Sequence, residues 1–233
     1  SKADPRPFQK PRARAIAQRG DTRMVGRIIV TEDDVAEGAA HLAAIEPRFA
    51  RALDATGPPP LRRRPDGFAT LLSAIVSQQV STAAAAAIWG RVEALGATCA
   101  ETVAAVSDEE LRACGLSRQK VAYARAICES GVDFDALREM PNDAVIAELV
   151  RIKGVGAWTA EIYAMFSLGR ADVFAPGDLA LQEAAARLFA LPERPRDKAL
   201  REMSLAWTPW RSVAARLLWA YYRVDTGKDG VRV

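Results

Sequence analysis

Apolar residues along this chain recur at helical rather than strand spacing, in short runs that begin with polar capping residues and end at glycine or proline. Thr31-Glu32-Asp33-Asp34 forms a capping box, and Val35, Leu42, Ile45 and Phe49 give the helix after it an apolar face, so one helix is predicted to run to about Leu53 before Gly57-Pro58-Pro59-Pro60 stops it. Phe68 to Ser77 is predicted as a largely buried helix, broken by Gln78-Gln79-Val80-Ser81, and Ser81 caps an Ala-rich helix from Thr82 to Leu95. Ser107-Asp108-Glu109-Glu110 is a second capping box, closed at Gly115, and Ser117 caps a helix to about Cys128. Asp133 to Met140 reads as a turn or short helix, and Asn142 as the cap of Asp143 to Val150. Later helices are predicted to continue through about Leu188, from Arg196 to Ala206, and from Pro209 to about Val224. Only Arg27 to Val30 has a strand-like pattern, as an edge or an extended lead-in, so the fold class is all-α.

One stretch interrupts this pattern in a way that invites chemistry. The apolar end Leu149 to Ile152 runs through Lys153 into Gly154-Val155-Gly156, and a new helix starts at once with Ala157-Trp158-Thr159. Such a hairpin leaves backbone N–H groups uncovered at a helix N-terminus, where an anion such as phosphate is stabilised. Gly-x-Gly also ends many helices for structural reasons alone. About twenty residues on, Pro176-Gly177 delivers the carboxylate of Asp178, which reads either as a catalytic group or as a helix N-cap.

Composition narrows the chemistry. Among 233 residues there is a single histidine, His41, and the three cysteines, Cys99, Cys114 and Cys128, form no Cys-x-x-Cys pair. That spacing argues against a disulfide scaffold and against zinc or iron–sulfur sites, and leaves a carboxylate as the general base. No membrane span or signal peptide is read, which places the protein in the cytoplasm. The net charge of +3 is unevenly spread: up to Arg23, seven basic residues face two acidic ones, a local +5 that leaves the rest at −2. Residues 1–26 therefore form a basic tail, expected to be disordered, that either attracts phosphates without regard to sequence or only keeps the chain soluble. A net negative body that binds nucleic acid must do so through a local patch and backbone donors.

Five blocks occur in one order: Gln78-Gln79-Val80-Ser81, Lys153-Gly154-Val155-Gly156-Ala157-Trp158-Thr159-Ala160, Asp172-Val173-Phe174, Asp178-Leu179-Ala180-Leu181 and Trp207-Thr208-Pro209-Trp210-Arg211-Ser212. Together they resemble the helix-hairpin-helix DNA glycosylase superfamily, in its 3-methyladenine DNA glycosylase II branch. The resemblance implies a two-lobed helical fold with a DNA cleft between the lobes. Residues 27–67 would pack with a C-terminal lobe, 172–233, that carries the catalytic aspartate, and 68–171 would form a central bundle bearing the hairpin. The implied function is monofunctional base excision repair: hydrolysis of the N-glycosidic bond of alkylated purines in duplex DNA, by a monomer without a cofactor, leaving an abasic site.

The resemblance assigns the residues as well. Asp178 matches the catalytic aspartate, which would stabilise positive charge on the deoxyribose and orient a water. Trp158 stands where bifunctional members carry a nucleophilic lysine, which implies that water is the nucleophile. Trp158 and Trp219 match aromatic positions of the alkylated-base pocket, with Ile162 and Leu179 beside them, although Trp219 reads equally well as a core residue. Ile162, Leu179 and Ala220 replace tyrosines of the resembled bacterial enzyme, so a less aromatic pocket is expected. Gln79 matches the side chain that fills the space left by the flipped base, with Gln78 either beside it or merely in a turn. Gly154, Val155, Gly156 and Thr159 would meet a DNA phosphate, Lys153 is a phosphate contact or a solvated charge, and the carbonyls of Ile152 and Val155 would hold a Na+ or K+ ion. Arg211 reads as a phosphate ligand or as a charge at a helix end. Two other readings stay open: a glycosylase for deaminated or oxidised purines, and a lesion-binding protein without chemistry.

Overall fold

The structure, a computed structural model, describes residues 25–227. The basic tail expected over residues 1–26 lies almost wholly outside them. Twelve α-helices are found among the described residues, with no β-strand; Arg27 to Val30 supplies only one antiparallel bridge, between Ile28 and Arg170.

One group of five helices includes the C-terminal one. These are α1 (Glu32–Ile45), α2 (Pro47–Thr56), α10 (Leu179–Leu188), α11 (Asp197–Ser204) and α12 (Arg211–Thr226), with α12 packed on α1, α2 and α10. The single helix predicted from Thr31 to Leu53 is two helices, because Pro47 cannot donate to the carbonyl one turn back and instead takes the first position of α2, capped by the Glu46 side chain. Gly38 of α1 is held close to α12: a Cβ there would come within 2.6 Å of the Trp210 ring and 2.7 Å of Val213. Phe49, Phe174, Phe189 and Trp207 form a ring cluster with centroid separations of 5.3 to 5.7 Å, which ties α2 to the segment leading into Asp178. Contacts of this kind contribute about 0.5–1.5 kcal/mol each beyond their buried area.

The remaining helices form the second group: α3 (Phe68–Val76), α4 (Thr82–Ala94), α5 (Ala100–Ala105), α6 (Asp108–Ala113), α7 (Arg118–Glu129), α8 (Asn142–Val150) and α9 (Ala157–Phe166). Here α7 packs on α3, α5 and α6, and α8 packs on α9. Ser81, Ser107 and Ser117 cap α4, α6 and α7 as expected. Asn142 does not cap α8; Pro141 occupies the cap position, and the Asn142 amide donates to the carbonyl of Asp172 over 3.2 Å. The segment from Asp133 to Met140 holds a 3-10 turn, Ala136–Arg138. Pro209 likewise precedes its helix, which begins at Arg211.

Two buried arginines join the groups. Arg170 donates to the carbonyls of Val25, Leu137 and Arg138, and Arg216 of α12 reaches the carbonyls of Leu61 and Ser212 while its guanidinium lies 4.5 Å from the Phe166 ring centre. Burial, and then the charges of Arg63 and Arg62, push the Arg216 guanidinium down to about 9.

Candidate active site

The hairpin is the turn from Arg151 to Gly156 between α8 and α9. Gly154 adopts φ +95°, and a Cβ there would lie 2.3 Å from the Tyr123 ring, so both conformation and close approach require glycine. Gly156 differs: its φ is −85°, nothing lies within 4 Å of a built Cβ, and it caps α9 without a side-chain hydrogen bond. The N–H groups of the first turn of α9 are therefore left for an external acceptor. Lys153 is exposed at this end, whereas Val155 and Thr159 are buried with their side chains turned inward from the surface.

The loop after α3 is tied to the hairpin. The Gln78 amide donates to the Gly154 carbonyl over 3.1 Å, and Lys120 of α7 donates to the Val76 carbonyl over 2.6 Å at the end of α3. Gln79, directly after these anchors, is exposed and adopts φ +56°, the left-handed region that costs a non-glycine residue roughly 1 kcal/mol or more. Gln78 thus ties the loop to the hairpin, and Gln79 is exposed beside it.

Asp178 caps the start of α10, as one of its two readings expected. Its Oδ1 accepts from the backbone N–H of Leu181 over 3.0 Å, an N-cap, and also from Trp219 Nε1 over 3.1 Å. Its Oδ2 accepts from Trp158 Nε1 over 3.1 Å. The carboxylate is buried at 5 % exposure without a cationic partner among the described residues, and three N–H donors and the N-terminus of α10 take the place of water around it. A carboxylate offers about four acceptor positions, and the vacant one lies on Oδ2, beside the half-exposed Trp158.

Trp158 also borders a cavity of about 400 Å³, with Ile162 and Tyr163 of α9, Arg64, and the loop residues Gln78 and Gln79. The base pocket expected of four residues is divided. Trp158 and Ile162 face this cavity, but Trp219 is 3 % exposed, packs 5.8 Å from the Phe166 ring and reaches the site only through its N–H. Leu179 is 63 % exposed and lines a separate hollow with Glu183, Arg187 and Tyr222, because the cap at Asp178 turns the next side chain outward. The sequence reading missed Tyr163 and Arg64. The Tyr163 hydroxyl accepts from the Gly67 N–H over 2.6 Å, and burial, its main cause, pushes the phenol up to about 12. An i+5 aromatic after Trp158 was the available signal; for Arg64 it was the basic run Leu61 to Arg64, which reads from sequence only as a phosphate-touching or solvated loop.

Arg211 takes neither predicted role. Its Nε and Nη2 meet the two carboxylate oxygens of Asp172 at 2.7 and 3.0 Å, fixing the start of α12 against the segment before Asp178. No group of three or more His, Cys, Asp or Glu side chains able to hold a metal occurs among the described residues. At the hairpin, the Ile152 carbonyl already accepts the Val155 N–H over 3.0 Å.

Comparison with known proteins gives the same fold and chemistry. Residues 72–210 match the family model described as "HhH-GPD superfamily base excision DNA repair protein". A crystal structure of a DNA-3-methyladenine glycosidase from Bacillus halodurans is 38% identical, with a TM-score of 0.72, over 82% of this chain and 90% of that one. The DNA-3-methyladenine glycosylase 1 of Schizosaccharomyces pombe is 29% identical over 77% of this chain and 84% of its own length. A 3-methyladenine DNA glycosylase from the same yeast, solved in complex with abasic DNA, is 27% identical with a TM-score of 0.67, over 80% of this chain and 95% of that one.

Proposed function

The chain belongs to the HhH-GPD superfamily of base excision DNA repair proteins, and from that premise we propose that it is a monofunctional DNA glycosylase that hydrolyses the N-glycosidic bond of alkylated purines in duplex DNA. The observation that carries the proposal is the buried Asp178 carboxylate, held by two indole N–H groups and one backbone N–H with a single acceptor position open on Oδ2. An N-cap alone needs one such acceptor, whereas two indole N–H groups are also spent on this carboxylate.

The mechanism follows from what each group is able to do. The first turn of α9 and Lys153 bind a backbone phosphate, while Gln79 enters the duplex and occupies the place of the rotated nucleotide. The purine enters the cavity beside Ile162 and the rings of Trp158 and Tyr163, which attract a base made cationic by alkylation. As the bond lengthens, Asp178 stabilises the positive deoxyribose, and the free position on Oδ2 orients a water toward C1′. An alkylated purine is already a good leaving group, so no strong general acid is needed. A Na+ or K+ ion at the hairpin also belongs to the proposal. The Val155 carbonyl accepts no hydrogen bond from a described residue, and that of Ile152 keeps a second lone pair, so both suit such an ion, which would stiffen the phosphate grip.

The reading is tested by following release of free base from methylated duplex DNA. Release of 3-methyladenine or 7-methylguanine with accumulation of abasic sites is expected. Tight binding of the lesion with no base released would replace the enzyme by the binding protein.

A further inference from the structure

Among the described residues, the cavity assigned to the base carries one formal charge in its wall, and that charge is positive. Its lining includes Arg64 but neither Asp nor Glu. The Arg64 guanidinium is pushed below its ordinary value, first by partial burial and then by the charge of Arg62, and no carboxylate acts on it. Its backbone is fixed by donation from its N–H to the Phe166 carbonyl over 3.0 Å, at the end of the helix that carries Trp158. A pocket shaped only for cationic purines gains nothing from an unpaired cation beside Trp158 and Tyr163. The two signs pull in opposite directions.

We propose that Arg64 is a specificity-determining residue that extends this enzyme to neutral purine lesions, by stabilising negative charge on the departing base. The inference rests on the reading of the cavity as the base pocket. Hydrolysis breaks the C1′–N9 bond with its electron pair passing to the purine; the oxygen of water bonds to C1′, and the proton of that water passes by way of Asp178 to solvent or to the base. When the purine is cationic, the pair neutralises it, and a neighbouring guanidinium only weakens binding beforehand. When the purine is neutral, as hypoxanthine is, the pair leaves it anionic, and a guanidinium already in the wall lowers the barrier without reorganisation. Arg64 therefore trades hold on the cationic base for rate on the neutral one.

The test uses the full chain and duplexes carrying either 7-methylguanine or hypoxanthine, with single-turnover release measured at saturating enzyme for the unaltered protein, Arg64→Gln and Arg64→Lys. Arg64→Gln is expected to lower hypoxanthine release about tenfold more than 7-methylguanine release, with Arg64→Lys restoring much of the ratio. Equal losses on both bases, or an unchanged ratio, would overturn the assignment. So would an unaltered enzyme that releases 7-methylguanine and no hypoxanthine. If the unaltered enzyme releases neither base, the glycosylase reading itself fails; if it releases both and only the ratio fails to move, that reading stands and Arg64 alone is misassigned.

Discussion

Trp219 donates its indole N–H to Oδ1 of Asp178 over 3.1 Å, from a position on α12 that is 41 residues further along the chain. The carboxylate proposed to be catalytic is thereby oriented from a second helix, and not only by the helix it begins. Trp219→Phe keeps the ring against Phe166 and removes the donor. A buried hydrogen bond to a charged group contributes about 1.5–3 kcal/mol, so base release is expected to fall roughly tenfold or more and the melting temperature by several degrees. Single-turnover release and thermal melting of the same variant check both.

The two hairpin glycines are predicted to behave differently. Gly154→Ala meets both a positive φ and the Tyr123 ring, and is expected to cost about 2 kcal/mol or more in denaturant unfolding. Gly156→Ala meets neither obstacle, so it should leave stability within about 0.5 kcal/mol and weaken DNA binding by covering the donors at the start of α9. Binding isotherms beside unfolding curves separate the two effects.

Asp34 closes the capping box of α1, and the N–H groups of Val30 and Thr31, then Arg27, hold its carboxyl far below the usual carboxylate range. A folded pKa below the unfolded one contributes stability above the unfolded value and loses it as pH falls toward the folded value. Asp34→Asn is therefore expected to destabilise the protein by about 1–2 kcal/mol at pH 7, with the difference from the unaltered chain shrinking below about pH 4. Unfolding curves at several pH values measure it.

The Trp158 indole, not an amine, donates to Asp178, Lys120 is engaged by the Val76 carbonyl, and Lys153 is exposed at the hairpin surface. Borohydride added during turnover should trap no covalent protein–DNA adduct, and electrophoresis under denaturing conditions reads this directly.

Much of the site was legible in sequence because it is local. The hairpin glycines, the Gln78-Gln79 loop and the cap at Asp178 each depend on a few consecutive residues, whose backbone demands or motif context single them out. What stayed hidden comes from long-range packing. That Trp219 serves the site through its N–H, with its ring in the core, depends on how α12 crosses α10; that Arg64 and Tyr163 share a wall depends on a loop folding back beside α9. Helix periodicity also carried the prediction across Pro47, although apolar spacing continues where the backbone cannot. At Asn142 the amide left the cap position for the Asp172 carbonyl, a partner thirty residues away.

The central claim is that Asp178 performs the hydrolysis. Asp178→Asn keeps the shape and the acceptor for the Leu181 N–H while removing the charge. Single-turnover release of 7-methylguanine from a defined duplex, beside a binding isotherm for the same DNA, tests the claim most directly. The account predicts binding close to normal with release lowered about a thousandfold or more. Release near the unaltered rate by a folded, DNA-bound Asp178→Asn protein would contradict it.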